Sequence, residues 1–193
     1  MEYEGEYLLD KKFHGKGYDE YGNIIYQLKN GTGKVKEYNW LGKLDFEGEY
    51  LNGLRNGKGK EYDLERLIFE GEYLNGKRNG KGKEYDLGKL IFEGEFLNNK
   101  RNGKGKDYGC FNGKLLFEGE YFNNIKYNGK GFDEEGNIIY ELKNGTGKVK
   151  EYNYYGYLEF EGEYLNGLRN GKGKEYKYGE LIFEGEYLNG FRK

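Results

Sequence analysis

The chain has no proline, no serine and no alanine, and one each of cysteine, histidine, tryptophan and methionine in 193 residues. Without alanine it is poor in the usual helix formers of a globular core. A single cysteine, Cys110, excludes an internal disulfide framework and fits a reducing, cytoplasmic setting. No apolar run approaches membrane-spanning length, and the opening Met1-Glu-Tyr-Glu-Gly has neither a basic nor an apolar leader region. Neither a secretion leader nor a transmembrane anchor is therefore expected. A net charge of -2 provides no uniform field for DNA or RNA, so nucleic acid is not an expected partner.

What remains is unusual for a packed core. Hydrophobic residues make up 35%, charged residues 34%, and glycine occurs 35 times. Such a profile suggests disorder, but 22 tyrosines and 12 phenylalanines argue for order. The aromatics recur in one phrase, aromatic-Glu-Gly-Glu-aromatic, beginning at Tyr3, Phe46, Phe69, Phe92, Phe117, Phe160 and Phe183. A degenerate copy begins at Tyr26 and at Tyr140, and the steps between the nine starts are 23, 20, 23, 23, 25, 23, 20 and 23 residues. A fixed period of this size means one supersecondary unit stacked on itself. The reading is all-β: one array of antiparallel hairpins over residues 1–193, in a single sheet whose last unit is a half unit.

In the unit starting at Phe69, Leu67–Leu74 and Gly80–Tyr85 both alternate with period 2. The intervening Asn75-Gly-Lys-Arg-Asn79 is turn chemistry. The predicted hairpin sets Tyr73 opposite Gly80, Gly71 opposite Gly82, Glu70 opposite Lys83 and Glu72 opposite Lys81. A three-residue loop, Leu87-Gly88-Lys89, then leads to the next unit and sets Gly82 opposite Gly94. One face becomes a row of glycines under aromatic rings. The other becomes a Glu/Lys ladder, in which each pair adds roughly 0.2–1 kcal/mol and mainly fixes register.

Two short units have turns cut to Asn30-Gly31-Thr32-Gly33 and Asn144-Gly145-Thr146-Gly147. A two-residue turn there places Leu28 opposite Val35 and Leu142 opposite Val149, filling the slots that glycines hold elsewhere. A shift of 114 residues superposes the first half on the second, and residues 21–38 match 135–152 at 16 of 18 places. Seventeen strands at about 4.8 Å spacing would give a ribbon roughly 77 Å long. The first and last strands, Tyr3–Tyr7 and Phe183–Tyr187, are expected to be open sheet edges.

The phrase Phe69-Glu-Gly-Glu-Tyr-Leu-Asn-Gly-Lys-Arg-Asn-Gly-Lys-Gly resembles the MORN repeat (membrane occupation and recognition nexus). Tyr or Phe stands where that family often has Trp, and the units at Tyr26 and Tyr140 lack the central glycines. The resemblance implies an elongated hairpin array that serves in scaffolding, dimerisation or protein binding, with phospholipid binding also proposed for the family.

The parts needed for catalysis are scarce. His14 reads as loop polarity, and Cys110 lacks a second histidine or a basic cluster to activate it. The Gly-Lys-Gly copies satisfy neither nucleotide-loop spacing and precede strands where a helix is required. Paired glutamates such as Glu70 and Glu72 already have lysines opposite them. No catalytic, metal or cofactor site is therefore expected. Two features stand out. Trp40 and Leu41 in one enlarged turn, and Tyr154, Tyr155 and Tyr157 in its duplicate, are candidate partner-binding anchors, or else caps over the filled short units. The long hairpin loops carry Lys11, Lys12, Arg55, Lys77, Arg78, Lys100, Arg101, Lys126 and Arg169, a basic rim that suits an anionic phospholipid surface or is simply loop polarity. The expected function is non-catalytic protein interaction, with homodimerisation through faces or end strands. The alternative is peripheral membrane binding through the rim. A place in the cytoplasm, at a membrane or at the cytoskeleton, fits either.

Overall fold

A computed structural model describes residues 3–153 and 155–193. The described residues form strands and turns with no helix. The strands are β1 (Tyr3–Leu8), β2 (Lys11–Tyr18), β3 (Ile24–Leu28), β4 (Gly33–Tyr38), β5 (Leu44–Leu51), β6 (Leu54–Asp63), β7 (Arg66–Leu74), β8 (Lys77–Asp86) and β9 (Lys89–Leu97). There follow β10 (Lys100–Tyr108), β11 (Leu115–Phe122), β12 (Ile125–Phe132), β13 (Ile138–Leu142), β14 (Gly147–Tyr152), β15 (Leu158–Leu165), β16 (Leu168–Lys177), β17 (Glu180–Leu188) and β18 (Phe191–Arg192). Two compact units divide the chain, residues 1–88 with 96–99 and residues 89–95 with 100–193.

In the first unit, β1-β2-β3 form one sheet, and β4 to β8 pair in sequence order. In the second, β10 to β13 pair in order, and β14 to β18 form a separate sheet. All neighbours are antiparallel hairpin partners, and the sheets stay open rather than closing into barrels. The glycine register is as expected. Gly71 lies opposite Gly82, with Glu70 opposite Lys83. On the other side of the same strand Gly59 lies opposite Gly71 and Lys58 opposite Glu72. In the second unit Gly105 meets Gly119, and Gly162 meets Gly173.

The long loop is shorter than expected. Tyr73 lies opposite Arg78 rather than Gly80, and Leu74 lies opposite Lys77. The turn is therefore Asn75-Gly76 alone, with φ of 51° and 83°. Two central residues at positive φ give the backbone twist that a two-residue hairpin prefers. The surplus residues Asn79, Gly80 and Lys81 form a bulge opposite Glu72. Gly80 takes φ +98° there, and the Lys81 amide donates to Glu72 Oε2 at 2.9 Å. The opposite turns also shorten. Asp63 pairs with Arg66 around Leu64-Glu65, and a register shift beside Tyr62 absorbs the difference.

At the short units the single-sheet expectation gives way. The turns have two residues, and bridges join Lys29 to Thr32 and Lys143 to Thr146. The ladder stops there, so Leu28 is not opposite Val35, nor Leu142 opposite Val149. Leu28 faces Gly15 and Val35 faces Gly48; Leu142 faces Gly129 and Val149 faces Gly162. All four side chains are buried. They fill the space that elsewhere closes because two glycine backbones approach directly, and the two strands diverge around them. The turn amides continue across these seams: the Gly53 amide donates to the Gly31 carbonyl at 2.9 Å, and Gly31 in turn donates to Phe13. The last strand is likewise not an open edge along its whole length. Tyr187 and Leu188 pair with Arg192 and Phe191 of β18, and the Lys193 amide donates to the Glu186 carbonyl at 2.9 Å.

Candidate interaction surfaces

The aromatic face is built by glycine. Phe46, Phe69, Phe92, Phe117 and Phe160 are completely buried. A Cβ on Gly82 would lie 2.5 Å from Phe69 Cζ, and one on Gly71 would lie 2.7 Å from the Gly82 Cα. The ring therefore rests on bare backbone, the close approach that justifies glycine within a strand. Edge-to-face contacts tie each ring to its neighbours, as between Phe69 and Tyr73 at 5.7 Å and Phe69 and Phe96 at 5.2 Å. A cation closes each stack. The Arg78 guanidinium lies 4.1 Å from the Phe69 ring centre, and Arg55, Arg101 and Arg169 repeat this over Phe46, Phe92 and Phe160 at 4.0, 4.1 and 4.2 Å. Lys126 takes the same place over Phe117 at 4.9 Å.

Carboxylates link one layer to the next. Glu61 pairs with Arg78 and Arg55, and it accepts the Tyr73 hydroxyl at 2.8 Å. Arg78 also reaches Glu84 at 3.0 Å. In the second unit Asp107 takes this part. It is buried, bonded to Arg101 at 2.7 Å and to the Tyr121 hydroxyl at 2.7 Å, with Lys126 at 3.2 Å. Burial raises the Glu61 pKa, but its bonds from Arg78 and Tyr73 outweigh this and leave it below the usual 4.5. A carboxyl held down in the folded state contributes stability above its unfolded pKa and loses it as pH falls through the folded value. Thermal melts should therefore be flat from pH 7 to about 5 and fall steeply below about 4.5. Glu61→Gln should lower stability at pH 7 and shallow that acid limb. An unchanged acid limb would show that Glu61 carries none of it.

This network relocates the basic rim. Arg55, Arg78, Arg101 and Arg169 lie within β6, β8, β10 and β16 rather than in loops, folded over phenylalanines and ion-paired. The Arg78 side chain is only 19% exposed. Lys126 is held by Asp107, and Lys12 lies 5.1 Å from the Tyr3 ring centre. Lys11, Lys77 and Lys100 remain exposed beside the turns.

The opposite face carries the ladder. Lys36–Glu47, Lys106–Glu118, Lys130–Glu141 and Lys174–Glu184 close to 3.9, 3.1, 3.6 and 3.4 Å. Tyrosines join it: the Tyr85 hydroxyl donates to Glu70 at 2.6 Å and Tyr62 to Glu47 at 2.7 Å. Partial burial, followed by Glu47, pushes the Tyr62 phenol up to about 12. In the second unit a shallow groove of about 680 Å³ runs over Gly162, Gly173 and Gly185 between these charged rows. Its walls alternate in sign, so it offers no net charge to a ligand.

The aromatic turns differ in kind. Trp40 is 90% exposed and Leu41 is exposed beside it, so Trp40 caps nothing. The turn is nevertheless fixed, because Asn39 Oδ1 accepts the Leu41 and Lys43 amides at 3.0 and 3.1 Å. In the duplicate, Asn153 Oδ1 accepts the Tyr155 and Tyr157 amides at 3.0 and 3.1 Å. Tyr155 packs on Phe111 at 5.1 Å and Tyr157 on Tyr178 at 6.5 Å, all four rings being exposed. Tyr154 lies outside the described residues. Phe111 and Tyr178 were not foreseen as part of this patch, although each stands in a turn, where an aromatic has no strand face to bury it.

Among the described residues no group of three His, Cys, Asp or Glu side chains is placed to hold a metal ion. His14 lies on β2 and pairs across from Glu6, and Cys110 is buried in its turn. In comparison with known proteins, the MORN repeat model matches residues 46–63, 69–86, 92–106 and 160–178. No curated protein matches the chain.

Proposed function

We propose that this chain, which carries four MORN repeats between residues 46 and 178, is a non-catalytic scaffold that binds another protein through its exposed aromatic turns. MORN repeats are a non-catalytic repeat type with a general role in protein or membrane interaction. The supporting observation is the state of Trp40, a large side chain left 90% exposed on a turn that asparagine holds in one shape. A solvated aromatic on a backbone turn already held in place costs little backbone freedom on binding and buries much apolar area, the property of an interface anchor. The phenylalanines of the aromatic face, Phe46, Phe69, Phe92, Phe117 and Phe160, do not serve this way, because glycine and a cation have already enclosed them.

The test is capture from an extract of the native source with wild-type protein and with Trp40→Ala and Tyr155→Ala/Tyr157→Ala variants. Capture should be lost while circular dichroism and melting stay unchanged. Retained capture would remove these anchors. Flotation with anionic vesicles at low salt tests the membrane alternative, which draws on few exposed cations once the arginines are paired. Sedimentation of the purified chain tests homodimerisation.

A further inference from the structure

We infer that the aromatic turns of the second unit form a docking surface for a cationic protein segment, rich in arginine or lysine and extended. The inference rests on the scaffold reading and names the chemistry of its partner.

Phe111, Tyr155, Tyr157 and Tyr178 lie in three different turns, yet they meet in two ring pairs, at 5.1 and 6.5 Å. Tyr178 is 80% exposed. Apolar burial does not explain rings that stay in solvent, whereas an open ring face attracts a cation, at roughly 0.5–2 kcal/mol per contact. The structure contains a local instance: Lys177 Nζ lies 5.7 Å from the Tyr178 ring centre.

The charge around the rings has the same sense. Glu134 and Glu135 in the turn between β12 and β13, and Glu159 and Glu180 at the edges of the ring-bearing turns, are all exposed, against Lys114 and Lys177. Lys114 is directed to the Glu134 carbonyl oxygen at 2.6 Å rather than to a carboxylate. Glu134 sits among the rings, near enough to accept from Asn112 at 3.4 Å and to lie 3.1 Å from where a Cβ on Gly156 would be. On the aromatic face Glu37, Glu61, Glu84, Asp107 and Glu175 are bonded to arginines, and on the ladder face Glu118, Glu141 and Glu184 are paired with lysines. At these turns acidic charge is in excess. Exposed rings set among surplus carboxylates fit guanidinium or ammonium groups on an extended chain. An anionic membrane is repelled by the same surface.

The probe is a fluorescein-labelled dodecapeptide of alternating arginine and glycine, with alternating glutamate and glycine as its control, titrated into the full chain by anisotropy. The arginine peptide should bind and the glutamate peptide should not. Affinity should fall at least tenfold between 50 and 300 mM salt, as counterions compete at an exposed site. Tyr155→Ala/Tyr178→Ala and Glu134→Gln/Glu135→Gln should each weaken binding at least fivefold. Glu184→Gln/Glu186→Gln makes the same change in net charge on the ladder face and should leave binding unaltered. Equal loss from both pairs would reduce the effect to bulk charge and overturn the site, as would binding unaffected by the turn variants. If the arginine peptide fails to bind while turn variants still lose capture of a native partner, the cationic occupant is wrong and the scaffold reading stands. If turn variants lose neither, both fall.

Discussion

Phe69→Ala should be among the most damaging single substitutions in the first unit. The ring is fully buried, and its removal leaves an open space over Gly71 and Gly82, which have no side chains to close it. Buried Phe→Ala changes cost about 3–5 kcal/mol, which for a chain of this size lowers the melting temperature by roughly 6–20 °C. Two further losses follow from the layering. Arg78 loses the surface it lies on, and Phe96 and Tyr73 lose their edge-to-face partner. Repeat arrays transmit such damage to nearest neighbours, so amide exchange should accelerate in β6, β7 and β8 before it does in β1 and β2. Leu74→Ala is the control. Leu74 is exposed on the opposite face of the same strand and should change stability by no more than about 0.5 kcal/mol. Equal effects at the two positions would refute the role assigned to glycine and ring.

Asp107→Asn should be of comparable severity for a different reason. Its carboxylate is the shared partner of Arg101, Lys126 and the Tyr121 hydroxyl. Neutralising it leaves two cations close together in a buried place. Breaking a buried pair by removing one partner costs about 3–5 kcal/mol, mostly because the remaining charge is stranded. The double variant Asp107→Asn/Lys126→Met should then be more stable than Asp107→Asn alone, since it removes one stranded charge. A double variant no more stable than the single one would place the cost elsewhere. Asp107→Glu tests fit: the equivalent positions Glu61, Glu84 and Glu175 carry the longer acid under arginine, whereas here it would crowd the buried site.

The glycine face and the ladder were legible in the sequence because strand period is two and the glycines mark which residues share a side. The same alternation, continued from Gly80 through Gly82 to Glu84, places a carboxylate on the aromatic face and gives a signal for the ionic layer. Its partner was hidden. Asn75 to Asn79 are all acceptable turn residues, so composition does not reveal that only Asn75 and Gly76 turn. Once Asn79 to Lys81 form a bulge, Arg78 moves from a loop to a strand and its side chain comes over Phe69. That one misplaced turn put the arginines of the basic rim in loops, whereas Lys11, Lys77 and Lys100 do stand beside the turns. Leu28 and Val35 were correctly read as fillers of glycine slots, but pairing them required two side chains to pass where only bare backbones fit.

The seams at Lys29–Thr32 and Lys143–Thr146 have a mechanical meaning. Each interrupts a ladder, so stiffness drops there, while buried leucine and valine supply an adhesion that has no preferred direction. Apolar contact tolerates a change of angle that a row of aligned hydrogen bonds resists, and the amide of Gly31 or Gly145 keeps the turn edge tethered during the change. Compliance should thus be concentrated at these two near-identical joints, where the repeat array is expected to bend before its ladders unravel.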